Sequence, residues 1–210
     1  VEIVQGKATF IAKYKIGVEN GHQFDMYEFD QVIIATGSKN ILPSYITSKS
    51  PHVLYPFELF QLSKLPEDVI IDGQDYIALE AASCFAALGT QVTLLIDSDT
   101  GLPFDESVNK ELLRIFKKRK IKVVEKKEII GTHEDLNGVS VTVLTNQHKE
   151  MKMGASCLVV PELRVSNVEE LGLKRLGMEL GGNGFIQVNN RLETSIPNIY
   201  AVGDVTGGPL

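Results

Sequence analysis

Apolar and polar residues alternate with a period of two through the first part of the chain: Val1 and Ile3, Ala8 and Phe10, then Tyr14, Ile16 and Val18. Asn20-Gly21 is a turn dipeptide and Phe24, Tyr27 and Phe29 resume beyond it, so residues 1–34 predict a β-meander. At residues 31–37 the pattern changes. Val32, Ile33 and Ile34 are an unbroken apolar run suited to a strand covered on both faces, and Ala35-Thr36-Gly37 ends it with small residues that admit a close neighbour. Residues 38–67 show no period, and prolines at 43, 51, 56 and 66 break any long element. This stretch predicts a connector, centred on 46–59, with one short helix over 57–65.

Residues 68–97 read as a single βαβ unit. Val69, Ile70 and Ile71 predict a buried strand, and Gly73 stands where the chain must turn tightly into a helix. From Tyr76 to Leu88 the spacing is helical: Ile77, Ala81, Cys84, Phe85 and Leu88 make one stripe, expected to lie on the sheet, and Gly89 is placed as a C-cap. Residues 92–96 predict a second buried strand. Parallel strands joined by a helix with glycine at the first turn can bind a dinucleotide through helix N-terminal amides. Set against G-x-G-x-x-G, however, Gly73 is followed by Asp75 at the second position and Ala78 at the third. A carboxylate about 4 Å from a phosphate charge repels it by roughly 4 kcal/mol at an effective dielectric near 20. Half of that still lowers affinity more than about tenfold. The acid expected at the end of the second strand is displaced as well, with Ile96 in its place and Asp97 after it.

The rest of the chain continues the alternation of helix and strand. Pro103 and Asp105 open a helix with Val108, Leu112, Ile115 and Phe116 on one face; residues 121–125 predict a third parallel strand. Residues 127–133 and 139–144 predict a hairpin around Asn137-Gly138, and residues 157–160 one more buried strand. Residues 184–188 and 198–202 predict two further strands, the second ending in Gly203-Asp204, where an acid is placed to hold a sugar or ribitol hydroxyl.

Charge and composition narrow the function. With 21 basic and 27 acidic residues the net charge is −6, which disfavours nucleic acid. The basic run at 117–120 complements the end of its helix and needs no phosphate to explain it. Cys84 and Cys157 are expected to be inert core thiols, and His22, His52, His133 and His148 have no ligand spacing, so no metal site is expected. No apolar run approaches 18 residues. A reducing, cytoplasmic setting is the expectation. Val1 in place of methionine and the closing Gly-Gly-Pro-Leu lead to the expectation of a piece of a longer protein.

Three stretches together carry a resemblance: Ile-Ile-Ala-Thr-Gly at 33–37, the βαβ unit with Tyr76-Ile77 and Glu80, and Thr-Ser-Ile-Pro-Asn-Ile-Tyr-Ala-Val-Gly-Asp at 194–204. In this order and at these separations the chain resembles the pyridine nucleotide-disulfide oxidoreductases, nearest their dihydrolipoamide dehydrogenase and mercuric-reductase-like members. The resemblance implies an α/β fold, a Rossmann-like FAD/NAD(P)-binding architecture with a parallel sheet, plus a β-meander and the trailing strands of an incomplete FAD domain. Residues 1–45 would belong to the FAD domain, 46–59 to a connector, 60–165 to an inserted NAD(P)-binding domain, and 166–210 to the return into the FAD domain.

By the same resemblance Thr36 and Gly37 would lie by the flavin nucleotide, and Gly203 and Asp204 would hold its ribitol and phosphate region. Gly73, Tyr76 and Glu80 would line the nicotinamide nucleotide's path. The implied parent is a homodimeric enzyme passing electrons from NAD(P)H through FAD to a disulfide-type acceptor. The opening fingerprint, the Cys-x4-Cys pair and the dimerisation domain with its His-Glu base do not occur in this sequence, so no catalytic residue is assigned. Residues 161–167 stand where the family has Gly-Arg-x-Pro-Asn. Asp75, Ile96 and this stretch keep two other readings open: a non-catalytic relative serving as an interaction or regulatory module, and a stand-alone nucleotide-binding domain.

Overall fold

The computed structural model describes residues 1–47, 49–161 and 163–208; Glu162 of the altered 161–167 stretch and the closing Pro209-Leu210 lie outside the described residues. Two compact units form. One holds Val1–Ile41 and Arg164–Leu210, the other Leu42–Leu163.

The first unit begins with β1 (Lys7–Ala12), β2 (Lys15–Asn20) and β3 (Gln23–Glu28), an antiparallel sheet in that order, turning at Gly21. The meander is as expected, but its alternation does not mark two buried edges. All of β3 is exposed, and of the meander's apolar side chains Phe10 is the one buried in the unit's core. The ring of Phe24 lies instead across Gly17, where a Cβ would come within 2.3 Å of it. β4 (Val32–Ile34) and β5 (Ser38–Ile41) follow.

The second unit is built on a five-stranded parallel sheet. Its strands are β6 (Val53–Leu54), β7 (Asp68–Asp72), β8 (Gln91–Asp97), β9 (Lys122–Lys126) and β13 (Cys157–Val159), in the order β6-β13-β7-β8-β9. The unbroken apolar runs have their reason here, because both faces are covered. Val69, Ile71, Val92 and Leu94 face α1 (Pro56–Leu59), α2 (Tyr76–Ala87) and α3 (Glu106–Lys118). Ile70, Leu95 and Leu158 pack against Val139, Val141 and Val143 of a three-stranded antiparallel sheet, β10 (Glu128–Asp135), β11 (Gly138–Leu144) and β12 (Glu150–Ala155). The hairpin was legible; its third strand was not. The helix expected over 57–65 is a single turn starting at Pro56.

α2 lies on the sheet, but on a different stripe from the one its large residues suggested. Ala78, Leu79, Ala81, Ala82 and Phe85 are buried, while Cys84 and Leu88 are exposed. Small side chains win the inner face because the helix sits close: a Cβ on Gly73 would lie 2.9 Å from that of Ala78. Cys84 is therefore not a core thiol, whereas Cys157 is. On α3, Phe116 is buried and Leu112 packs half-buried against the same core, but Val108 is exposed.

The chain then returns to the first unit as β14 (Leu163–Ser166), which pairs with β5, and β15 (Ile199–Ala201), which pairs in parallel with β4. Residues 184–188 do not form a strand. A single bridge joins Leu180 to Ile186, and the segment is fixed instead by Ile186 sinking into a core with Phe10, Ile34, Ile199 and Val205. No helix among the described residues is long and apolar enough to cross a membrane.

Candidate functional site

In the first unit the register of β15 on β4, Ile199 opposite Val32 and Ala201 opposite Ile34, aligns two parallel strands so that their C-terminal ends emerge together. Thr36 and Gly37 leave one end and Gly203 and Asp204 the other, four expected residues in one place. Gly37 (φ 69°) and Gly203 (φ 74°) both take the left-handed conformation that favours glycine, and a Cβ on either would meet no atom within 4 Å. The backbone there faces open space.

A hydrogen-bonded cluster holds these ends. Arg164 Nη1 donates to Asp204 Oδ2 (2.9 Å) and to Ser38 Oγ (2.9 Å), and Ser38 Oγ donates to the same carboxylate oxygen (3.1 Å). Thr36 Oγ1 donates to the Asn167 carbonyl, and Asn167 returns two bonds, its side chain to the Thr36 carbonyl and its amide to Gly37 O (3.0 Å). Arg164, Asn167 and Ser38 were not anticipated. Arg164 and Asn167 sit in the stretch that departs from the family pattern, and only the pairing of β14 with β5 brings them to the strand ends. A half-exposed carboxylate steadied by a guanidinium, beside two open glycine backbones, fits a polyhydroxy chain carrying phosphate: acceptor, cation and room coincide.

In the second unit Gly73, Tyr76 and Glu80 sit at the C-terminal edge of the parallel sheet, where β13 and β8 flank β7 on opposite sides, the place such sheets leave a crevice. Gly73 has φ 155°, and Tyr76 and Glu80 follow one turn apart on the exposed face of α2. An open pocket of about 250 Å³ lies there, lined by Asp72, Gly73, Gln74, Asp75, Asp97 and Lys126 among others. Asp75 is the N-cap of α2, its Oδ1 accepting the Ala78 amide at 2.8 Å. β8 runs one residue further than expected. Ile96 is buried and Asp97 is the terminal residue, so an acid does end the strand. That carboxylate is held below its usual range chiefly by the Thr100 amide, with the Asp99 amide and the Thr100 hydroxyl also donating to it.

Asp72, which closes β7, was missed. It is only 5% exposed, ion-pairs with Lys126 (3.1 Å) and accepts a hydrogen bond from Tyr45 Oη. Burial, then the Asp72 carboxylate, push the Tyr45 phenol upward, so it stays a donor. A charged residue directly after three apolar strand residues was the available signal. The corner fits a dinucleotide in backbone shape and does not fit its diphosphate in charge: three carboxylates line it, and its one lysine is already paired. Among the described residues no three His, Cys, Asp or Glu converge as a metal site. His52 Nδ1 lies 2.9 Å from the Ser156 carbonyl.

Parallel sheet, glycine corner and a second strand pair ending in Gly-Asp define an α/β protein of Rossmann-like construction. The family profile described as pyridine nucleotide-disulphide oxidoreductase matches residues 1–210, and the chain belongs to that family. It is 33% identical over 211 residues to a dihydrolipoyl dehydrogenase of Geobacillus stearothermophilus, covering 100% of this chain and 44% of the relative. It is 32% identical over 212 residues to a soluble pyridine nucleotide transhydrogenase of Pectobacterium atrosepticum, covering 99% of this chain and 44% of that one. Among solved structures, the HOCl-induced flavoprotein disulfide reductase RclA of Escherichia coli superimposes with a TM-score of 0.86 at 27% identity, over 99% of this chain and 46% of the other. The chain thus spans less than half the length of the relatives it matches.

Proposed function

We propose that this chain carries the pyridine-nucleotide unit and part of the flavin unit of an oxidoreductase that passes electrons from NAD(P)H through FAD to a disulfide-type acceptor. The single observation that supports this best is the convergence of Thr36, Gly37, Gly203 and Asp204 at the ends of the β4–β15 pair, with Arg164 bound to Asp204. On this reading Val1–Ile41 and the return from Arg164 form part of the flavin unit, and Leu42–Leu163 is the pyridine-nucleotide unit. The flavin, when bound, supplies the electron-carrying chemistry. Asp204 accepts a ribitol hydroxyl, Arg164 fixes that carboxylate and offsets phosphate charge, and the two glycines let the backbone approach. In the other unit Gly73 makes the tight corner, and Tyr76 and Glu80 line the nucleotide's path. The remainder of the flavin domain, a dimerisation domain and a second copy of the whole protein are its partners.

The second reading, a non-catalytic relative, is favoured by Asp75 and by the carboxylates around it. Calorimetric titration of the chain with NADH and NADPH separates the two. The oxidoreductase reading expects a dissociation constant below about 1 mM for one of them. Absence of heat from both at several millimolar supports the non-catalytic relative.

A further inference from the structure

We propose that polar groups at the nucleotide corner of the Leu42–Leu163 unit are engaged by its own side chains, so that a pyridine nucleotide seats only in competition with them. The inference rests on the pyridine-nucleotide reading of that unit. Asp75 is a tethered anion: its Oδ1 takes the Ala78 amide at 2.8 Å, placing a full negative charge at the helix N-terminus that a diphosphate would use. Gln74 is a strut. Its Oε1 accepts the Asp97 amide (2.7 Å) and its Nε2 donates to Thr100 Oγ1 (2.7 Å), spanning from the end of β7 to the end of β8. The acid that could hold a ribose is engaged too, because Asp97 Oδ1 accepts the Asp99 and Thr100 amides, each at 2.9 Å. Lys126, the cation in the pocket, is turned to Asp72, and both side chains are largely buried.

An arriving diphosphate therefore meets an Ala78 amide already taken by Asp75 and carboxylates whose neighbouring lysine, Lys126, is paired with Asp72. The effect differs from steric closure, since the pocket stays open. Asp75 competes for the Ala78 amide and repels at the same time, and because it is part of the chain it does so at a high effective concentration that no dilution lowers.

Two variants separate competition from folding. Asp75→Asn keeps the side-chain cap and removes the charge; Asp75→Gly removes the charge and the side-chain bond to Ala78 while leaving a residue that helix starts accept. NADH and NADPH are titrated into the wild-type chain, both variants and Gln74→Ala, at low and at high salt. The expected result is affinity at least tenfold higher in Asp75→Asn and Asp75→Gly, and a smaller gain in Gln74→Ala. Wild-type affinity should also rise, or fall less than that of the variants, as salt screens the carboxylate. Measurable wild-type binding with both Asp75 variants within twofold of it overturns the tethered-anion proposal and leaves the pyridine-nucleotide reading standing. No binding by any of the four proteins overturns that reading, and this inference with it. Should Asp75→Gly fail to fold, the Asn variant decides alone.

Discussion

At the scale of single residues, the two cysteines show how little a side chain's type says about its chemistry. Both stand in apolar company in the sequence, yet Cys84 is exposed on α2 and Cys157 is buried at the start of β13. Burial, then the neighbouring Asp68 carboxylate, push the Cys157 thiol up to about 11 from an ordinary 9.0. The native state thus favours the neutral thiol. Its contribution to stability is complete below the unfolded value and is lost as pH rises from about 9 towards about 11. Urea unfolding at about pH 8 and about pH 10.5 should show a loss of stability that is smaller in Cys157→Ala than in the wild type. Equal losses in both proteins would refute this account. The same blindness to surroundings hid Asp72: a carboxylate after an apolar run is visible in the sequence, but Tyr45 and Lys126, which make its burial possible, lie 27 and 54 positions away.

Elements were easier to find than to orient. β7, α2, β8, α3 and β9 all occur where periodicity puts them, since a βαβα repeat of buried runs and amphipathic helices has few other ways to bury its apolar surface. The rotation of α2 about its axis was not legible. Of the expected stripe Ala81 and Phe85 are buried, but Ala78, Leu79 and Ala82 join them in place of Ile77, Cys84 and Leu88, as the close approach of the helix at Gly73 requires. Gly73→Ala should therefore act on the whole element: it places a methyl 2.9 Å from Ala78 on backbone at φ 155°. We expect a loss of about 1–3 kcal/mol, read from the urea midpoint. A midpoint unchanged from wild type would show that the helix can ride outward without penalty.

Across the whole molecule, the two units differ in what they enclose. The Leu42–Leu163 unit covers both faces of its parallel sheet. In the other, β4 and β15 form a two-stranded parallel pair on which Ile33 remains 64% exposed, and among the described residues no α-helix lies in that unit. Parallel strands are ordinarily covered on both faces. The strand ends proposed to meet the flavin are present, but among the described residues no α-helix N-terminus of this unit is there for a diphosphate, only short 3-10 turns such as Gly203–Thr206. The chain by itself should hold FAD weakly: after incubation with FAD and gel filtration, the protein peak should carry no flavin absorbance. A yellow protein peak would contradict this. By itself the sequence determined the family, the order of the βαβα elements from β7 to β9 and the positions of the Gly-Asp and Ala-Thr-Gly strand ends, because these depend on local spacing and on glycines that few substitutes can replace. Only the tertiary structure decided that Arg164 steadies Asp204, that Asp97 does close its strand, that Asp75 caps α2, and that Gln74 bridges to the end of β8. Those are contacts between residues up to 40 positions apart, and they exist only once sheet register and helix rotation have been set by packing.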